Sequence, residues 1–327
     1  MRLLLSEVAA ARHGERIRAA VPAVHLVPIP AEDPAPDIAG AEVAFITRDL
    51  FLGGTRHRLT ARFQRFVDLV LAAPDLRWVQ TFSAGTDMAP YQAMLARGLI
   101  LTNSAGASAS AVATTAITGL LALARGLPRI AEAQRRRAWE PLYAGAEPRD
   151  VQGQSALILG TGPIGQETAR LCAAFGLVPT GIRRDAGAPP PPGFAATAPF
   201  AALPALLPGT DWLILACPLT ETTRGLIDAA ALARLPPGRH LVNVARGGVV
   251  IEDDLLAALR SGHLAGAFLD VFAEEPLPAE SPFWGLPNVI VSPHSAAASD
   301  GLPERVAAQF CANLARWARG ETLANRA

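Results

Sequence analysis

Short apolar runs alternate with longer stretches of helical period along most of this chain. That alternation predicts a parallel α/β architecture. In the first part, residues 2–5, 25–29, 43–47, 77–82 and 100–102 read as strands, with helices over 59–72 and 90–97. A long apolar helix is predicted over 108–124, with Gly126 and Pro128 as its stop signals. A second series starts at Ser155: a buried strand over 156–159, a turn over 160–165, and a helix over 166–175 closed by Gly176. Further strands are expected at 178–182, 212–216, 240–244, 267–271 and 289–291, with a helix over 251–260 and a final one over 303–319. The prolines within 188–193 form a stiff surface connector rather than a domain boundary, because strands continue on both sides.

At 327 residues the chain is too long for one typical domain and comfortable for two. Half the residues are hydrophobic, 18% are charged and the formal net charge is zero, so no polyanion-binding surface is expected. Arg135, Arg136 and Arg137 form a lone basic run that reads as a solvated helix end. Every basic residue is Arg, and the absence of Lys excludes Schiff-base chemistry and a Walker A motif. Cys172, Cys217 and Cys311 are far apart and lack metal-ligand spacing, so free thiols in a reducing compartment and no metal are expected. The apolar start of the chain turns polar by Glu7, too short for a signal segment, and the longest mostly apolar run, 111–124, is too short to span a bilayer. A cytoplasmic protein is expected.

The turn Gly160-Thr-Gly162-Pro163-Ile164-Gly165 follows an apolar strand and opens a helix, the context that gives a GxGxxG meaning. Gly160 permits the tight turn, Gly162 lets backbone approach a pyrophosphate, and Gly165 allows close helix–strand packing. The next strand ends Gly181-Ile182-Arg183-Arg184 rather than in the acidic residue that accepts from ribose hydroxyls. Two guanidinium groups there suit a 2′-phosphate, so NADP(H) is expected over NAD(H), with Asp185 keeping NAD(H) as the alternative.

Three later segments each place one ionisable residue after a predicted strand: Arg246, Glu275 and His294. A permanent cation, a carboxylate and an imidazole together form a complete site. The Arg holds an anionic substrate, the His moves a proton, and the Glu orients the His.

Together these segments resemble the D-isomer-specific 2-hydroxyacid dehydrogenase family. The resemblance rests on Ile158-Leu-Gly-Thr-Gly-Pro-Ile-Gly165, Cys217-Pro-Leu-Thr-Glu-Thr-Thr-Arg-Gly-Leu-Ile227, Val242-Asn-Val-Ala-Arg-Gly-Gly-Val-Val250, Gly266-Ala-Phe-Leu-Asp-Val-Phe-Ala-Glu-Glu-Pro-Leu-Pro278 and Asn288-Val-Ile-Val-Ser-Pro-His294. It implies two Rossmann-like or flavodoxin-like α/β domains with parallel sheets and an active-site cleft between them. The implied substrate domain is 1–103 plus 295–327, discontinuous because the last helix returns to it, and the implied NAD(P)-binding domain is 104–294. Arg246 would bind the substrate carboxylate and polarise the C2 carbonyl. His294 would be the general acid in keto-acid reduction, and Glu275, with Glu274 as its neighbour, would hydrogen-bond it and keep it protonated.

Softer implications follow from the same resemblance. Ala84 and Gly85 lie in a loop whose backbone amides would bind the substrate carboxylate. Asp270 would accept from the nicotinamide carboxamide, Cys217 and Pro218 would line the adenosine side, and Ala245 and Ser295 would lie near the nicotinamide. Thr114 stands where many members carry Glu, the mark of a divergent subgroup. A homodimer through the long helix and adjacent loops is implied. The implied reaction is reduction of a small 2-keto acid, glyoxylate- or hydroxypyruvate-like, by NADPH; Phe51 and Leu52 would instead suit a bulkier 2-hydroxy acid. A nucleotide-sensing corepressor-type protein shares the fold, and formate enzymes pair the His with Gln rather than Glu.

Overall fold

The computed structural model describes residues 1–32, 36–55, 58–143, 147–185 and 187–327. In chain order the elements are β1 (Arg2–Ser6), α1 (Glu7–Ala20), β2 (His25–Ile29), β3 (Ala41–Ile46), α2 (Ala61–Ala72), β4 (Trp78–Thr81), α3 (Ala89–Ala96) and β5 (Ile100–Thr102). Then come α4 (Ala109–Ala124), α5 (Leu127–Arg135), β6 (Ser155–Leu159), α6 (Pro163–Ala174), β7 (Val178–Arg183), β8 (Ala196–Pro199) and α7 (Leu203–Leu206). The series closes with β9 (Trp212–Leu215), α8 (Ala229–Arg234), β10 (Arg239–Asn243), α9 (Glu252–Arg260), β11 (Leu264–Leu269), β12 (Val289–Val291) and α10 (Leu302–Ala318). The chain divides into two compact units: Met1–Ser108 with Ser299–Ala327, and Ala109–Ala298. Both boundaries lie a few residues beyond those read from the sequence.

The first unit is a parallel sheet in the order β2-β1-β3-β4-β5. That is the flavodoxin-like order of doubly wound sheets. Leu3, Leu4 and Leu5 are all fully buried, as expected of a strand covered on both faces. Helix α10 returns to this sheet from the far end of the chain. Phe310 stacks on Phe45 with ring centroids 4.1 Å apart, and buried Asn313 donates to Gln80 Oε1 at 3.0 Å. This aromatic and amide packing is what makes the unit discontinuous.

The second unit is a seven-stranded parallel sheet, β12-β11-β10-β9-β6-β7-β8. Numbered from β6 this is the 3-2-1-4-5-6 Rossmann order with one strand added, so the order reverses between β6 and β9. Two parallel α/β units were expected, and two are present.

Three local features differ from the sequence reading. The long helix ends at Gly126, φ +66°, as expected, but Pro128 sits in the first turn of a further helix, α5, that was not foreseen, where its missing N–H costs nothing. Helix α1 is not announced by its pattern, because its buried face is Ala9, His13, Gly14 and Ile17. Strand β8 is a short, half-exposed edge following the proline run. Among the described residues no single helix is long and apolar enough to cross a membrane; α4 and α5 reach the length only as a pair bent by 68°.

Candidate active site

The chemistry gathers at the carboxyl ends of the second unit's strands. After β6 the chain turns at Gly160, whose φ is +101° and whose N–H donates to Ile182 O at 2.9 Å. A Cβ on Gly165 would lie 1.9 Å from Gly160 O, so only glycine lets α6 start this close to the strand. Nothing lies within 4 Å of a Cβ placed on Gly162, the N-cap of α6. Exposed Gly162 and Pro163 thus border open space at a helix N-terminus, where backbone N–H groups favour a phosphate. Ile164 packs into the apolar cluster beneath. The residues fit a bound dinucleotide: a glycine cradle stands open at the switch point between β6 and β9.

At the end of β7 the two arginines have different surroundings. Half-buried Arg183 donates from Nη2 to Ala188 O and to Pro189 O, tying it to the proline connector. Arg184 is exposed. Asp185 Oδ1 accepts from Gly187 N at 3.0 Å, so its carboxylate closes its own turn. Cys217, after β9, is buried, and burial pushes its thiol up to about 11, the behaviour of a packing residue; Pro218 beside it is exposed.

After β10 the loop carrying Arg246 is clamped by Asn243, which is 2% exposed. Its Oδ1 accepts from Ala245 N at 3.0 Å and its Nδ2 donates to Arg246 O at 3.2 Å. Half-buried Arg246 donates from Nη1 to Ala245 O at 2.7 Å.

The loops after β11 and β12 meet. His294 Nδ1 lies 2.7 Å from Glu275 Oε2, and Glu275 Oε1 accepts from Phe272 N at 3.1 Å. The Glu275 side chain is 9% exposed and that of His294 42%. A buried carboxylate on Nδ1 fixes that nitrogen as the N–H donor and leaves Nε2 as the ring nitrogen that Glu275 does not engage. His294 is held at φ +51°, a left-handed conformation that is uncommon for a non-glycine residue. Its own N–H donates to Asp270 O at 2.8 Å.

Asp270, 2% exposed, anchors the rest of that loop. Its Oδ1 accepts from Ser292 Oγ at 2.6 Å, Ser295 N at 2.8 Å and Ala296 N at 3.1 Å. Burial raises its pKa from the ordinary carboxylate value, and these hydrogen bonds oppose the rise. In the first unit, Ala84 and Gly85 follow β4 in a half-buried loop closed by Ser83 Oγ donating to Gly85 O at 2.7 Å. Among the described residues no cluster of His, Cys, Asp and Glu is arranged to hold a metal ion.

Residues 117–296 match the family described as D-isomer specific 2-hydroxyacid dehydrogenase, NAD binding domain. The glyoxylate reductase of Korarchaeum cryptofilum is 36% identical over 262 residues, covering 76% of this chain and 75% of that protein. This chain belongs to the D-isomer specific 2-hydroxyacid dehydrogenase family.

Other members agree along most of the chain. The glyoxylate reductase of Thermococcus gammatolerans is 38% identical over 265 residues, covering 78% of each protein. Among solved structures, a D-isomer specific 2-hydroxyacid dehydrogenase from Xanthobacter autotrophicus, in complex with NADPH and MES, superposes with a TM-score of 0.77 at 31% identity, covering 100% of this chain and 97% of that one. The NADPH-dependent glyoxylate/hydroxypyruvate reductase of Sinorhizobium meliloti, in complex with NADP and sulfate, gives 0.78 at 27% identity, covering 100% and 98%.

Within this member of the family, the structure brings His294 and Glu275 into contact and sets Arg246 on the adjoining loop. Ala245 is buried and Ser295 exposed, each next to one of these residues. The sequence reading did not single out Asn243 or Glu252, and it did not foresee Asp270 as the anchor of the His294 loop. A polar residue inside Val242-Asn243-Val244, at the buried end of an apolar strand, was the available signal for Asn243.

Proposed function

We propose that this chain reduces a small 2-keto acid, glyoxylate or hydroxypyruvate, to the D-2-hydroxy acid with NADPH. The observation that carries the reading is the His294–Glu275 pair at 2.7 Å, with a permanent cation, Arg246, on the loop whose Gly247 packs against the turn of Glu275. Substrate names come from the curated relatives, glyoxylate reductases that align over three quarters of this chain.

In this reading Arg246 binds the substrate carboxylate, for which a guanidinium offers a planar pair of donors. Ala84 and Gly85 are carried as substrate-binding residues through their backbone amides. His294 Nε2 delivers a proton to the ketone oxygen as it becomes a hydroxyl, and takes it back in the oxidative direction. Glu275 holds the ring in the right tautomer and stabilises its charged form. The hydride comes from the nicotinamide when that cofactor is bound. Gly160, Gly162, Pro163, Ile164 and Gly165 would hold the pyrophosphate; Cys217, Pro218, Ala245 and Ser295 would line the rest of the cofactor site, with Asp270 fixing the loop beside the nicotinamide. Arg184, exposed at the end of β7, would meet the 2′-phosphate, while Asp185 is engaged in its own turn and Arg183 stiffens the connector. The first unit is then the substrate domain and the second the NADP(H)-binding domain.

The free, buried cysteines fit a reducing cytoplasm. Leu52, 67% exposed in the loop after β3, supports a second reading in which a bulkier apolar 2-hydroxy acid is the substrate.

NADPH oxidation over a panel of 2-keto acids of graded side-chain size, repeated with NADH, tests both. Turnover is expected with the smallest acids and NADPH. An optimum at bulky apolar acids selects the second reading, preference for NADH removes the Arg184 assignment, and no turnover with any acid removes the enzyme.

A further inference from the structure

The turn that carries Glu275 is gripped from outside the catalytic trio. Its two successive amides each meet a carboxylate: Phe272 N donates to Glu275 Oε1 at 3.1 Å and Ala273 N to Glu252 Oε1 at 2.7 Å. Glu252 opens α9, which follows the Arg246 loop in the chain, so its side chain links that loop to the Glu275 turn. On the other side the turn has no slack. A Cβ added to Gly247, the residue after Arg246, would lie 2.0 Å from Phe272 C and 2.2 Å from Ala273 N. The Arg246 loop and the Glu275 turn are therefore in backbone contact, and the Glu252 carboxylate closes that contact with a hydrogen bond.

We propose that Glu252 is a positioning residue whose carboxylate fixes the 272–275 turn and thereby holds Glu275 against His294. The inference deepens the reading of this site as a keto-acid reductase and rests on it for its kinetic consequence alone.

Glu252 is a poor choice for a mere helix N-terminal charge. Its pKa is raised above the ordinary value first by burial, with Asp253, Glu275 and Glu274 pushing the same way, while the Ala273 N–H pulls it down. Three carboxylates around a half-buried fourth form a costly arrangement unless the fourth does something there. Its neighbours Asp253 and Asp254 supply the helix-dipole charge already. What Glu252 adds is an acceptor for an amide that the turn otherwise leaves unpaired.

The requirement is for an acceptor oxygen, not for a charge. Glu252→Gln keeps the acceptor; Glu252→Ala removes it; Glu252→Asp withdraws it by one methylene and serves if the Ala variant fails to fold. Loosening the turn weakens the Glu275 contact, so the His294 ring loses the partner that fixes its tautomer. In protein with 15N-labelled histidine, with the His294 signals assigned by their loss in His294→Ala, the neutral ring is expected to hold its proton on Nδ1 in the wild type, to become a mixture of tautomers in Glu252→Ala or Glu252→Asp, and to return most of the way in Glu252→Gln. In kinetics, kcat for reduction is expected to fall about tenfold or more in the Ala variant, with little change in KM for NADPH, and to recover in Gln. An unchanged tautomer in both Ala and Asp variants, or a Gln variant that behaves like Ala, overturns the proposal. Because the tautomer is read without turnover, a wild-type protein inactive on every 2-keto acid would overturn the functional reading while the positioning role is still decided.

Discussion

His294 shows how one residue is prepared by its surroundings. Its backbone is held left-handed at φ +51°, its amide is tied to Asp270 O, and one ring nitrogen is taken by Glu275. That leaves Nε2 as the ring nitrogen Glu275 does not engage. Replacing His294 by Ala should lower kcat for keto-acid reduction by about 10²–10⁴ while NADPH binding, measured by fluorescence titration, stays near wild type. Near-normal turnover would mean that another group donates the proton. The three ionisable residues were legible in the sequence because each sits in a short local motif after an apolar run. Their supports were not. Glu252 and Asp270 act on loops reached through space, Asn243 clamps its own loop, and a carboxylate in an acidic helix start looks the same in sequence whether it faces water or an amide.

At the scale of elements, strands were easier to read than the joints between them. A strand covered on both faces needs a continuous apolar run, which sequence displays directly. Gly126 ends α4, but Pro128 suits the first turn of a new helix as well as the end of an old one, so α5 was not legible. The amino end of β10 shows a second effect that only packing creates. His240 stacks on Trp212 with ring centroids 4.3 Å apart, and its pKa is lowered to about 4, first by burial and then by Arg149 and Arg239. Asp211, ion-paired with both arginines, is the acidic group at this end. A histidine with a depressed folded pKa is neutral in the fold and binds a proton more readily when unfolded. Its contribution is complete above the unfolded value near 6.5 and is lost as pH falls from there towards 4. The loss is at most ~3 kcal/mol over that window. Urea unfolding at pH 7 and pH 4.5 should show a fall in stability that His240→Phe reduces; an equal fall in that variant would assign the effect to other groups.

At the scale of the molecule, two parallel α/β units are assembled from three stretches of chain, because α10 completes the sheet of the first unit. The second unit leaves an apolar strip uncovered: Leu127 and Ile130 on α5, then Trp139, 96% exposed, and Tyr143. Exposed apolar side chains grouped in one segment suit an interaction surface, and we propose that this segment, which adjoins the long helix α4, takes part in the homodimer that the family resemblance implies. Sedimentation should give twice the mass of the chain, and Ile130→Arg with Trp139→Arg should shift the equilibrium to monomer. A wild-type monomer at micromolar concentration would remove the dimer.

The sequence by itself determined the strand series, the glycine turn and the order of Arg246, Glu275 and His294, because each depends on residues that are neighbours in the chain. Tertiary structure alone decided that α10 belongs to the first unit and that Glu252 and Gly247 grip the turn of Glu275. Those outcomes depend on which backbone amides and side chains meet through space, and neither hydrophobic period nor motif spacing carries that information.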